Sequence, residues 1–115
     1  MQPGIHIIAE LSVSQDELLN RFEPLRELLH QLIAQHDLSN LGEVYHNFSP
    51  RGFTALVCLS ESHISFHSFP EFQRLHLDIY LSNYSRNNHP AGQAIFESVV
   101  QFYSAAIIGQ QTLYR

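Results

Sequence analysis

The chain has 115 residues, of which 44% are hydrophobic and 15% are charged, and this predicts one compact domain over residues 1–115. A formal net charge of −5 argues against nucleic acid as a partner, because such binding needs a basic surface. The longest apolar runs are too short to span a membrane. The N-terminus, MQPGIHIIAEL, lacks the positive region of a signal peptide. A cytoplasmic location is therefore expected.

The hydrophobic pattern predicts eight elements in the order β-α-β-β-β-β-α-β. Residues 4–11 alternate as a first strand. Ser14 to Glu17 form a possible capping box that opens a helix to about His36. Pro24 is expected to kink this helix or to divide it into two short ones. The remaining predicted elements are strands at 41–48, 52–59, 63–68 and 74–80, a helix from Pro90 to about Ala105 and a strand at 107–113.

Consecutive strands flanked by two helices predict an α+β fold. We expect a two-layer subunit with a mainly antiparallel sheet and both helices on one face. The other face is then uncovered. If that face is apolar, two subunits are expected to pack sheet to sheet as a symmetric homodimer, which gives an α/β/β/α sandwich.

The composition limits the available chemistry, because all six basic residues are arginines and the chain contains no lysine. A lysine Schiff base, including the one that holds pyridoxal phosphate, is therefore excluded, and so is a P-loop. The single cysteine, Cys58, excludes a disulfide within the chain and is expected to be an ordinary buried thiol. Eight histidines favour imidazole for any acid–base step.

The segment CLSESHISFHSFPEF, residues 58–72, concentrates the reactive side chains. His63 and His67 are four residues apart, but in a strand this separation is ~13 Å, too far for two ligands of one metal ion. We therefore expect no metal site. No nucleophile elbow supports a serine hydrolase. Considered alone, these residues also fit a polar strand with partly hydrogen-bonded histidines.

One part of this segment resembles the processing-site motif of bacterial and archaeal S-adenosylmethionine decarboxylases. It comprises ESHIS at 61–65, His67 and FPEF at 69–72. Upstream, HNFSPRG at 46–52 resembles the HxFxPxG segment of this family. Downstream, DIY at 78–80 resembles the strand that leads to its catalytic cysteine. The resemblance is dense from about Val44 to Tyr80 and weak beyond Asn83.

The resemblance implies a proenzyme that makes its own carbonyl cofactor. Ser62 would attack the carbonyl of Glu61, and the chain would be cut between residues 61 and 62. A pyruvoyl group would then remain at position 62, where it condenses with the substrate amine and accepts the electrons left by departing carbon dioxide. His67 matches the histidine of processing and proton transfer in the family, and Thr54 matches its hydroxyl donor.

The resemblance also assigns substrate contacts. Phe48 and Phe69 correspond to aromatic residues that sandwich adenine, and Glu71 to a residue that holds the ribose hydroxyls. The structural alternatives are core aromatics and a solvent-exposed turn acid. Ser82 stands where the family has its catalytic cysteine, and a hydroxyl is a much weaker acid than a thiol.

The function implied by the resemblance is decarboxylation of S-adenosylmethionine for polyamine (spermidine) synthesis. Two alternatives remain open. The same pyruvoyl chemistry could act on arginine or ornithine, or the chain could be an unprocessed, non-catalytic homologue that serves as a binding subunit.

Overall fold

The computed structural model describes residues 2–15 and 17–115, which form one antiparallel sheet of six strands. The strands are β1 (Gln2–Ser12), β2 (Asn40–Asn47), β3 (Phe53–Leu59), β4 (Ser62–Phe69), β5 (Arg74–Asn83) and β6 (Ala106–Tyr114). The helices are α1 (Glu17–Asn20), α2 (Glu23–Gln35) and α3 (His89–Phe102), and a single 3₁₀ turn at Pro70–Phe72 joins β4 to β5. The predicted order of elements is confirmed.

The predicted first helix is divided into two, as the position of Pro24 allowed. Pro24 lies in the first turn of α2, where a missing N–H costs nothing because that group has no partner within the helix. Helix α1 is described from Glu17 onward, so the predicted capping box of Ser14 to Glu17 stays a prediction. Asp16, inside that box, lies outside the described residues.

The strand order across the sheet is β2-β3-β4-β5-β1-β6, and every neighbouring pair is antiparallel. Strands β2 to β5 are therefore a meander, while β1 lies between β5 and β6. The connections that carry the helices must cross over other strands to produce this order. Because both cross on the same side, the helices cover one face only.

Alternation along the strands separates a buried face from an open one. The fully buried side chains that face the helices include Ile7, Leu11, Ala55, Ile64, Phe66, Leu75 and Ile79, and they meet Leu25, Leu29, Ile95 and Val99 from the helices. Burying one large apolar side chain of this kind contributes ~1.5–3 kcal/mol. These contacts hold the two layers together.

We call the uncovered side of the sheet the open face. Ile8 and Leu56 lie there, exposed by 38% and 42%, among mostly polar side chains. Five of the eight histidines share this face: His6, His46, His63, His67 and His76. The uncovered face was predicted, but its composition is mixed rather than apolar.

Cys58 is exposed, so the prediction of a buried thiol is wrong. Ala55 and Val57 are buried, which shows that the odd positions of β3 face the core and that position 58 faces the open side. Among the described helices, none combines the length and the apolar character needed to cross a membrane.

Candidate active site

The side chains singled out in the sequence lie at the two ends of the strands rather than at one point. We call one group the serine end, which comprises Glu61, Ser62, Ser82 and Arg86, and the other the histidine end, which comprises Phe48, Thr54, His67, Phe69 and Glu71. Ser62 begins β4 and His67 lies five residues further along the same strand. An extended strand rises ~3.3 Å per residue, so about 16 Å separates the two residues.

The backbone of Ser62 is strained. Its φ angle is +117°, a region that residues with a Cβ rarely adopt and that costs on the order of 1–3 kcal/mol. The residue is half-buried at the point where the chain turns from β3 into β4. Such strain persists only where surrounding contacts hold it, and it is concentrated at functional positions.

The carbonyl oxygen of Glu61 is one of these contacts. It accepts a hydrogen bond from the backbone N–H of Ser82 at 2.9 Å. A donor in this position polarises the carbonyl and stabilises negative charge that develops on its oxygen. Because the donor is a backbone group, it does not depend on the side chain at position 82.

The side chain of Glu61 is held by Arg86. Arg86 donates from Nε and Nη2 to the two carboxylate oxygens at 3.3 and 3.0 Å, and its Nη2 also donates to the carbonyl of Asp37 at 2.7 Å. The Glu61 side chain is only 12% exposed, and the hydrogen bonds from Arg86 are the main cause that lowers the pKa of its carboxyl. Arg86 thus fixes the residue that precedes Ser62.

Two buried asparagines hold the end of β5 beside the serine end. Asn88 Nδ2 donates to the carbonyl of Ser82 at 2.8 Å, and the backbone N–H of Asn88 donates to Asn83 Oδ1 at 2.8 Å. Asn83 Nδ2 in turn donates to the carbonyl of Pro3 at 2.8 Å. Beside these residues is an open cleft of about 660 Å³, which Tyr84 and Arg86 help to line.

At the histidine end, Thr54 and His67 face each other across β3 and β4. Thr54 Oγ1 and His67 Nδ1 are hydrogen-bonded at 3.0 Å. This bond orients the imidazole and leaves its Nε2 available to exchange a proton with another group. His67 also lines a groove of about 590 Å³ on the open face, together with Glu10, His76 and Asp78.

The aromatic side chains of this end are exposed. Phe48 and Phe69 are 51% and 36% exposed, so neither belongs to the core. Their rings lie edge-on or tilted against His46 and His76, with centroid separations of 4.7 and 4.8 Å. Strand β3 separates β2 from β4, and two strand spacings of ~4.8 Å leave room between the two phenylalanines for a flat ring.

Glu71 lies in the 3₁₀ turn and is exposed. His63 and His67 lie on one strand, as predicted, and no group of three or more His, Cys, Asp or Glu among the described residues is arranged to hold a metal ion. Sequence reasoning missed Arg86, Asn83 and Asn88. The only signal that could have found them is the polar stretch at 83–89, directly after the strand that carries Ser82.

Known proteins resemble this chain in sequence. Residues 5–106 match the family model of S-adenosylmethionine decarboxylase. The S-adenosylmethionine decarboxylase proenzyme of Archaeoglobus fulgidus is 39% identical over 77 residues, which cover 67% of this chain and 69% of that protein. The proenzyme of Aquifex aeolicus is 38% identical over 77 residues, but these cover 57% of its length.

The same fold occurs in the crystal structure of the adenosylmethionine decarboxylase from Aquifex aeolicus. The TM-score is 0.81 at 24% sequence identity, over 99% of this chain and 89% of that one. The structural match shows the fold, and the family model together with the Archaeoglobus relative shows the family. The chain belongs to the S-adenosylmethionine decarboxylase family.

Proposed function

We propose that this chain is a self-processing S-adenosylmethionine decarboxylase that acts in the cytoplasm in polyamine synthesis. The observation that carries the proposal is the strained backbone of Ser62 next to a Glu61 carbonyl that is hydrogen-bonded by Ser82. A serine adjacent to a polarised carbonyl is the arrangement that self-cleavage of a peptide bond requires. The relatives' description as proenzymes supports the same chemistry.

Processing begins when Ser62 Oγ attacks the carbonyl carbon of Glu61. The Ser82 N–H stabilises the oxyanion, and the peptide C–N bond breaks as an ester forms to Oγ. Loss of the Ser62 α-proton and cleavage of the Cβ–O bond then release Glu61 as a carboxylate. The dehydroalanine left at position 62 takes up water and loses ammonia, which yields the pyruvoyl group.

The pyruvoyl group would supply an electrophilic carbonyl for the substrate amine, and a chain without lysine cannot hold pyridoxal phosphate for the same purpose. The residues around position 62 fit this group, because Arg86 holds Glu61 on one side of the cleavage point, and Asn88 holds Ser82, whose N–H donates to the Glu61 carbonyl. Ser82 stands at the position where the family has its catalytic cysteine, so its hydroxyl is the proton donor that replaces the thiol. Its weak acidity makes donation slow.

The active site is shared between two copies of the chain. His67 is too far from Ser62 to act on it within one subunit, since about 16 Å of extended strand separates them. Two subunits packed by their open faces, with the two-fold axis perpendicular to the strands, place the serine end of one copy over the histidine end of the other. This packing also covers Ile8 and Leu56.

The substrate follows from the histidine end. Phe48 and Phe69 are exposed rings on which an adenine can stack, and the Glu71 carboxylate accepts hydrogen bonds from ribose hydroxyls. Asp78 lines the adjacent groove, and its carboxylate favours a cationic sulfonium over a neutral sulfur. Arginine and ornithine are cations too but have no flat ring to stack on Phe48 and Phe69, so a nucleoside fits better.

Self-cleavage is the first test. Purified wild-type protein should yield two fragments, 1–61 and 62–115, of which the second resists Edman degradation because it has no free amine. Ser62→Ala should remain a single chain with an unchanged circular dichroism spectrum. A wild-type chain that stays intact after prolonged incubation would show that this protein is a non-catalytic homologue.

Co-expression of two variants tests whether the active site is shared between subunits, with cleavage as the readout. Ser62→Ala and His67→Ala should each fail to cleave alone. After co-expression, about half of the His67→Ala chains should be cut, because random pairing places half of them opposite a subunit that supplies His67. Mixed dimers that form but remain uncut would place the whole site within one chain.

Arg86 has a predicted role in processing. Arg86→Gln should raise the pKa of the Glu61 carboxyl and slow cleavage by about tenfold or more, because Glu61 loses the group that holds it beside Ser62. The matched control is Arg21→Gln, which removes a guanidinium that pairs with Glu23 of helix α2, on the side of the sheet away from the open face. Equal cleavage rates in the two variants would contradict the role of Arg86.

The substrate is tested by release of carbon dioxide from processed protein. S-adenosylmethionine should be decarboxylated, and arginine and ornithine should not. Phe69→Ala should raise KM by about tenfold, because stacking of a base on an aromatic side chain contributes ~1–3 kcal/mol. Release from arginine or ornithine instead would assign the same chemistry to a different amino acid.

Ser82 should limit the active lifetime. If a proton reached residue 62 rather than the substrate carbon, hydrolysis would leave the amino group of the substrate on residue 62, which would become alanine, and the subunit would be inactive. Ser82→Cys, with a thiol of pKa ~8.5, should direct the proton correctly and extend activity. Mass spectrometry of the 62–115 fragment after many turnovers should show more alanine in the wild type. Equal lifetimes without alanine would assign the proton to another acid, with His67 of the second copy first and then Tyr80 or Tyr84.

A further inference from the structure

Strand β6 ends the sheet on one side, and only β1 is paired with it among residues 2–15 and 17–115. Gly4 and Arg115 exchange both of their backbone hydrogen bonds, at 2.7 and 3.1 Å. In an antiparallel pair such exchange occurs at every second residue. The N–H and C=O groups of Gln110, Thr112 and Tyr114 therefore point away from β1, toward the free edge.

This edge lacks the charges and the proline that normally prevent strand pairing, and the one irregularity in its pairing with β1, between Gly109 and Ile107, lies outside residues 110–114. Residues 98–114 contain no charged side chain and no proline, although charges and proline are the usual protection of an edge strand. Exposed apolar side chains also flank the edge, and they are Ile107, Ile108, Leu113 and Tyr114.

The opposite edge of the sheet is different. Strand β2 contains Glu43, which is hydrogen-bonded to His30 Nε2 at 2.7 Å and to the hydroxyl of Tyr45. An added strand at that edge would meet a charged side chain and the neighbouring helix α2. Of the two edges, only the β6 edge combines free backbone N–H and C=O groups with uncharged side chains.

We propose that β6 pairs antiparallel with β6 of a second copy of this chain, about a two-fold axis at Thr112. Thr112 then lies opposite Thr112 of the second copy, and Gln110 opposite Tyr114 of the second copy. Each of these pairs exchanges two backbone hydrogen bonds, so all the edge groups of Gln110, Thr112 and Tyr114 are satisfied at once. Threonine pairs of this kind are favourable between strands.

The charge distribution confines a contact between two copies of this chain to an uncharged surface such as the β6 edge. Two chains with a net charge of −5 each repel one another over most of their surfaces, whereas the β6 edge is uncharged. The self-pairing places no like charges opposite each other. The two-fold axis is perpendicular to the sheet, so the open faces of both copies stay uncovered, and edge pairing is independent of packing between those faces.

Two adjacent glutamines provide a matched test in the full-length chain. Gln110→Pro removes an N–H that points to the free edge, and proline is tolerated at an edge strand. Gln111→Pro removes an N–H that points to β1. We expect Gln110→Pro to halve the mass measured by sedimentation velocity, with little change in the unfolding temperature of the separated subunits. Gln111→Pro should lower the unfolding temperature strongly.

Two further variants keep the outcome clear. Thr112→Lys places like charges opposite each other on the axis and should also halve the mass, even if Gln110→Pro does not fold. Leu56→Glu disturbs only the open face and should leave the edge contact intact. Equal masses for wild type, Gln110→Pro and Thr112→Lys would overturn the proposal, whatever Leu56→Glu does to packing between open faces.

Discussion

The register of β4 with its two neighbours determines the geometry of the site. β4 pairs Ser62 with Leu81 of β5 and His67 with Thr54 of β3. A slip by one residue would turn His67 toward the helices and Ile64 toward the open face. Burial of Ile64 and Phe66 opposes this slip. Ser68 opposes it as well, because its buried hydroxyl accepts from the N–H of Phe53 at 2.8 Å and donates to the carbonyl of Leu19 at 2.7 Å.

The same rigidity separates the two groups that meet in the proposed mechanism. A strand paired on both sides cannot fold back on itself, so Ser62 and His67 stay at opposite ends of β4. In the proposed dimer the two-fold axis brings Ser62 of one copy close to His67 of the other, so the strand does not need to bend. Each strand then supplies the serine to one active site and the histidine to the other, and neither site exists in a single chain.

Much of the fold was predictable because its signals are local. The alternation in β1 and β5, the proline in α2 and the order of the elements each depend on a few neighbouring residues. The site was predictable in part for the same reason. Residues 61–72 form one continuous motif, and their identities indicate the chemistry that Ser62 can perform. The Glu61–Arg86 pair was not predictable, since it joins residues 25 apart in the chain, and neither was the strain at Ser62.

The sequence by itself determined which residues alternate, in what order helices and strands follow one another and which segment resembles the family's processing site. Only the tertiary structure decided that β1 lies between β5 and β6 and that Cys58 is exposed. It also decided that five histidines share the open face with Thr54. The physical reason is that alternation defines two faces of a strand without stating which one is buried. That choice is made when the helices cross the sheet, because the larger apolar surface is the one they cover.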